Sequence, residues 1–201
     1  MTISVALDNC SSVLNVEVAK ETIRVWLHDG RTITVPLAWY PRLCDGTPAE
    51  RNNWESVGDG TAVHWPDLHE DIAVADLMST PSTGSIEVDE YPRALDVEVE
   101  EETIRVWLRD GRTVTVPLAW YPRLCDGTPA ERNNWESVGD GTAIHWPDLD
   151  EDVSIGGLMS GPSLERATTL GRWLLARREG RGIKGYEIAE HERTRRAVPL
   201  R

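Results

Sequence analysis

Hydrophobic and polar residues alternate along this chain in short runs. Leu14, Val16 and Val18 alternate with polar neighbours, and Ile23, Val25 and Leu27 do so again with Trp26 on the opposite face. Alternation of period two predicts strands with one buried face. His28-Asp29-Gly30-Arg31 then separates the second run from Thr32-Ile33-Thr34-Val35. Asp-Gly is a hairpin signal, so a third strand is expected to return here. Pro36 should end its pairing, because proline brings no donor to the ladder. Further on, Thr47-Pro48-Ala49-Glu50 reads as a helix start. Thr47 can cap, Pro48 suits the first helical position and Glu50 completes a capping box, which predicts a helix from Pro48 to about Trp54. Gly58-Asp59-Gly60 is a turn, and Thr61-Ala62-Val63-His64-Trp65 a strand closed by Pro66. After the acidic corner Asp67–Asp71, the residues Ile72, Val74 and Leu77 predict a short strand or helical turn. The whole is an α+β layer of about four antiparallel strands with one main helix.

The pattern then starts again. Leu14 to Ser79 aligns with Leu95 to Ser160 at a constant offset of 81, and Thr34–Ala62 is identical to Thr115–Ala143. Two copies of this length fit two small tandem domains rather than a solenoid. The expected divisions are a first repeat domain at 1–79, a linker at 80–94, a second repeat domain at 95–160, and a C-terminal helix with a basic tail at 161–201. The linker is rich in Pro, Ser, Thr and Gly, although Ser85–Val88 could form an edge strand. Ile3–Leu7 is another alternation ahead of copy one. Leu164, Ala167, Leu170, Leu174 and Leu175 keep helical spacing, which predicts a helix from Ser163 to about Arg178, capped by Ser163. Small domains most often assemble as homodimers, so a fused pair predicts a pseudo-twofold arrangement with two similar surfaces. The alternative is two independent domains that gain avidity through the linker.

Charge divides the chain. Residues 160–201 hold ten Lys/Arg and five Asp/Glu, a net of +5; the rest holds 11 and 29, a net of −18, which together give −13. An acidic body disfavours the phosphate backbone, where binding depends on cations. It favours a basic protein partner, or serves only solubility. The basic tail, with Arg177 and Arg178, is the one segment suited to nucleic acid. No run approaches the length of a membrane helix, and the N-terminus lacks the basic region and apolar core of a secretory signal. Three cysteines (Cys10, Cys44, Cys125) cannot build a disulfide framework. A cytoplasmic protein with reduced thiols is expected, with Cys44 and Cys125 as small buried hydrophobes.

Candidate chemistry is sparse. His64 stands near Asp67, His69, Glu70 and Asp71; in copy two His145 stands near Asp148, Asp150, Glu151 and Asp152. Imidazole and carboxylates suit a divalent metal or an acid–base pair. Consecutive carboxylates point in different directions, however, and His69 in the place of Asp150 argues against a demanding ligand position. His64 and His145 are expected to be structural and bonded to backbone, so no metal, no cofactor and no catalytic residue is assigned. Trp39, Tyr40 and Arg42, with Trp120, Tyr121 and Arg123, combine residue types that dominate interface hot spots and are the expected partner contacts, together with Arg177 and Arg178 of the tail. Trp39 can equally be core, and Tyr40 can be held by its hydroxyl. Arg42 and Arg51 are expected to pair with the acidic corner.

Three segments carry a resemblance: Asp29-Gly30-Arg31, Val35 to Leu43 with its Trp39-Tyr40-Pro41-Arg42, and His64-Trp65-Pro66-Asp67-Leu68, each recurring in copy two. Together they closely resemble the bacterial family known as domain of unknown function 2442, over nearly all of each repeat. The resemblance implies small α+β domains without an enzymatic role, some fused to a helix-turn-helix. It also implies frequent encoding beside another small protein, as in a toxin–antitoxin pair. The expected function is therefore a non-catalytic, antitoxin-like or accessory protein-binding module with an acidic body. The alternatives are a nucleic-acid-associated regulator acting through the tail, and a metal-dependent hydrolase using the His-Trp-Pro-Asp corner.

Overall fold

A computed structural model describes residues 12–79 and 92–161. The alternations at Ile3–Leu7 and Ser85–Val88, the helix expected from Ser163, and Arg177 and Arg178 lie outside these residues. Copy one runs β1 (Val13–Val18), β2 (Thr22–Leu27), β3 (Thr32–Pro36), α1 (Pro41–Asp45), α2 (Pro48–Asn52), β4 (Glu55–Val57), β5 (Ala62–Trp65), β6 (Glu70–Ala73) and α3 (Val74–Met78). Copy two repeats the order as β7 (Ala94–Val99), β8 (Thr103–Leu108), β9 (Thr113–Pro117), α4 (Pro122–Asp126), α5 (Pro129–Asn133), β10 (Glu136–Val138), β11 (Ala143–Trp146), β12 (Glu151–Ser154) and α6 (Ile155–Ser160).

Two similar sheet-rich units with short helices result, an α+β fold in tandem. Among the described residues each unit has six strands where about four were expected: β4 spans three residues, too short to show an alternation, and the segment at Ile72, Val74 and Leu77 divides into the strand β6 and the helix α3. The capping box forms at both helices: the Thr47 and Thr128 hydroxyls accept from the amides of Glu50 and Glu131, whose carboxylates accept in return. These bonds, chiefly from the Thr47 hydroxyl at Glu50 and the Thr128 amide at Glu131, hold both carboxyls below their usual range. The helix stops at Asn52, short of Trp54, as Asn53 leaves the helical region (φ −89, ψ 72).

The first strand also differs from its pattern. Its register against β2 shifts between Val13 and Asn15. A bulge of this kind changes the face of the residues beyond it. Val13 and Val16 therefore face the core, and Leu14 is exposed rather than buried. The same shift between Ala94 and Asp96 exposes Leu95.

β1–β2–β3 and β7–β8–β9 form one six-stranded antiparallel sheet, ordered β1-β2-β3-β9-β8-β7. The central pairing is Thr32 with Thr115, Ile33 with Val114, and Thr34 with Thr113. Val114 is the copy-two equivalent of Ile33, so a local twofold passes between these two residues. Behind each half, a three-stranded sheet packs on the inner face. In copy one Ile23, Val25, Leu27, Ile33 and Val35 meet Val63, Trp65, Ile72 and Leu77 in one core cluster. Copy two builds the equivalent cluster, and Met78 packs against both.

The hairpin turns lock the halves together reciprocally. Arg31 is only 1% exposed and Arg112 0%. Arg31 donates from Nε to Asp29 Oδ2 at 2.7 Å, and its Nη1 donates across the seam to the carbonyls of Leu158 and Met159 on α6. Arg112 pairs with Asp110 through Nη2 at 2.6 Å and donates from Nη1 to the Leu77 and Ser79 carbonyls, at 3.0 and 2.9 Å, at the end of α3. Each buried guanidinium thus satisfies orphan carbonyls at a helix C-terminus of the other copy. Gly30 (φ 91) approaches the other copy so closely that a Cβ there would lie 2.7 Å from Pro117 Cγ. Gly111 (φ 93) faces Pro36 in the same way. The positive φ and the close approach both demand glycine.

Candidate functional site at the shared sheet face

Burying Ile23, Val25 and Leu27 turns Arg24 and Trp26 outward, because side chains alternate along a strand. In β3 the same alternation turns out Thr32 and Thr34. Pairing then arranges these residues in two rows across all six strands. One row reads Asn15, Trp26, Thr32, Thr115, Arg105, Glu98; the other reads Glu17, Arg24, Thr34, Thr113, Trp107, Asp96. The twofold exchanges the rows, so each has a tryptophan towards one end and an arginine towards the other. Between them lies an open groove of about 500 Å³ with a floor of four threonines.

The arginines are placed twice over. Arg24 lies over the Trp26 ring at 5.6 Å from its centroid, and Arg105 over Trp107 at 5.7 Å. A guanidinium so stacked keeps its donor edge free for a planar acceptor. Carboxylates supply some of that pairing: Glu17 lies 3.5 Å from Arg24, while Glu98 and Glu100 lie 3.1 and 3.2 Å from Arg105. The surface offers hydroxyls, stacked cations and indole edges, a set fitted to recognition.

The residues singled out in the sequence lie elsewhere. Trp120 and Tyr121 are 2% and 1% exposed, so the contact role expected for them does not fit; they belong to the copy-two core. Trp39 and Tyr40 are half-buried against the core of copy one. Burial, and then the nearby carboxylates of Asp76 and Glu70, push the Tyr40 hydroxyl up to about 12, against an opposing effect of Arg112. The folded chain therefore resists ionising Tyr40 where an unfolded one would ionise it near its ordinary value. Stability from this source is complete below about pH 10 and is lost as the pH rises through about 12. Alkaline titration followed by circular dichroism should show that loss, and Tyr40→Phe should remove part of it.

Arg42 and Arg123 do turn to the acidic corner. Both donate to the carbonyl of the corner residue, His69 or Asp150, and Arg123 also reaches the Asp150 carboxylate at 2.8 Å. That residue has positive φ in both copies, 48 at His69 and 49 at Asp150. The position needs a left-handed backbone and a carbonyl, which Asp and His both supply; this accounts for the exchange between copies. Arg51 does not pair with the corner. It caps α1, donating from Nε to the Leu43 carbonyl at 2.7 Å and from Nη2 to that of Cys44 at 2.6 Å.

His64 and His145 bond carboxylates rather than backbone: Nδ1 lies 2.7 Å from Asp71 and 2.9 Å from Asp152, each across a strand pair. Asp67 and Asp148 instead accept from Asn53 and Asn134. The metal candidates are therefore drawn apart, and among the described residues no group of three or more His, Cys, Asp or Glu is placed to hold an ion. Cys44 is exposed and not buried, while Cys125 is half-buried. α1 and α4 are single turns that bury Leu43 and Leu124, and the next residue donates from its thiol to a carbonyl of its own copy, Cys44 to Leu37 at 3.2 Å and Cys125 to Leu118 at 3.3 Å.

A family model described as protein of unknown function (DUF2442) matches twice, at residues 13–80 and 94–162. The chain belongs to the DUF2442 family. Each DUF2442 match coincides with one copy of the fold, from its first strand to the end of its last helix. Among curated proteins and among solved structures, none matches the chain. Among the described residues, no helix of this DUF2442 pair is long and apolar enough to cross a membrane.

Proposed function

We propose that this chain is a non-catalytic protein-binding module of the cytoplasm, antitoxin-like or an accessory subunit, and that it takes its partner on the shared sheet face. One observation carries the reading. The outward face sets Trp26, Trp107, Arg24 and Arg105 in a concave, pseudo-symmetric arrangement that neither copy could form alone. Trp and Arg are the types that most often carry binding energy when a partner covers them. The net of −18 outside the tail favours a basic partner and speeds its approach. His64 and His145, engaged with strand neighbours, fit structural roles.

The test is capture from native extract, at moderate salt and with nuclease, by the intact chain and by its Trp26→Thr/Trp107→Thr variant. Threonine suits a strand, and circular dichroism checks that the variant is folded. The wild type is expected to hold a stoichiometric protein that the variant loses, with affinity reduced by at least about 30-fold, the loss that one hot-spot ring alone accounts for. A protein retained equally by both would remove the sheet face from the account. Nuclease-sensitive capture would favour nucleic acid as the partner.

A further inference from the structure

The two halves of the groove are built from nearly the same residues, but their charges have diverged. In copy one the bulged strand and its turn carry Asn15, Ala19 and Lys20; the equivalents in copy two are Asp96, Glu100 and Glu101. These positions sum to +1 at one end and −3 at the other. Arg24, Glu17 and Glu21 have counterparts of the same charge in Arg105, Glu98 and Glu102. The consequence shows in the cation pairing. Arg105 is held between Glu98 and Glu100, and Glu100 also accepts from the Thr103 hydroxyl at 2.9 Å. With Ala19 in place of that second carboxylate, Arg24 pairs among the described residues with Glu17 alone, at 3.5 Å, and 48% of the Arg24 side chain is exposed.

We infer that the groove is polarised and takes one extended polypeptide segment of the partner in a fixed direction, with an acidic residue at the Arg24–Lys20 end and a basic residue at the Glu98–Glu100–Glu101 end. This rests on the sheet face being the contact surface. Arg24 on β2 and Arg105 on β8 are three strand spacings apart, about 4.8 Å each, and two residues apart along the strands, which sets them about 16 Å from each other. An extended chain advances about 3.3 Å per residue, so roughly five residues join the two ends. Complementary charge at each end fixes direction, and reversal would set like charges together. A strictly twofold groove would bind both directions equally; the charge difference removes that degeneracy.

The experiment is selection of a random peptide display library on the intact chain. Enriched peptides are expected to carry Asp or Glu about five residues from Lys or Arg, in one order only, and to lose binding to Trp26→Thr/Trp107→Thr. In Ala19→Glu/Lys20→Glu the copy-one turn takes the residues that copy two already accommodates. This variant should weaken the selected peptides about tenfold, since each exposed charge contact is modest, and selection on it should lose the acidic preference. Peptides that need both tryptophans but show no charge order, or bind Ala19→Glu/Lys20→Glu unchanged, would overturn the polarity and leave the sheet face standing. Enrichment that ignores the tryptophans, or none at all, would overturn both.

Discussion

Arg31→Ala is expected to lower the unfolding free energy by about 3–5 kcal/mol, because removing one partner strands a buried charge. The stranded group is Asp29, which shares the buried pocket of Arg31. The Leu158 and Met159 carbonyls at the end of α6 lose a donor in the same step. Arg112→Ala should do the same through Asp110 and the Leu77 and Ser79 carbonyls. Urea unfolding followed by tryptophan fluorescence reads the loss as a lower midpoint. Both arginines span the two copies, so either change should destabilise both cores together. Lysine should restore little, since it lacks the planar fork that serves carboxylate and carbonyl at once. An unchanged midpoint would mean that the two DUF2442 copies do not depend on this reciprocal contact.

Trp65→Ala should cost a similar amount, about 3–5 kcal/mol, the usual range for emptying a core site of a large ring. Trp65 is fully buried, and its Nε1 donates to the Arg51 carbonyl at 2.9 Å in the last turn of α2. Trp146 makes the same bond to Arg132 at 2.8 Å. The neighbouring His64→Ala should cost less than about 1 kcal/mol, since its Asp71 partner is largely exposed. The contrast defines the His-Trp-Pro-Asp motif: its tryptophan holds the helical layer to the sheet, and its histidine trims the surface. Equal losses at the two positions would contradict that division.

The duplication, the α+β class and the first three strands of each copy could be read from the sequence, because alternation and the 81-residue offset are strong local signals. The Thr47–Glu50 capping box was equally plain, being complete within four residues. Other features depend on contacts between distant segments. Arg31 reads as a turn residue beside Asp29-Gly30, and nothing local says that its guanidinium crosses into the other copy. Alternation puts Trp26 on the outer face of its strand, but the groove exists only once β3 pairs with β9 and brings Trp107, Thr113 and Thr115 alongside Thr32 and Thr34. Trp39 and Trp120 lie in nearly identical sequence yet differ in exposure, which no local pattern could separate. The bulge at Leu14 reverses what strict alternation implies, and the sequence carries no glycine or proline to mark it.

The shared sheet face is tested most directly by hydroxyl-radical footprinting of the intact chain, alone and bound to the partner it captures. The account predicts that oxidation of Trp26 and Trp107 falls sharply on binding while that of the half-buried Trp39 stays constant. Unchanged oxidation of Trp26 and Trp107 in the saturated complex would place the partner elsewhere and contradict the account.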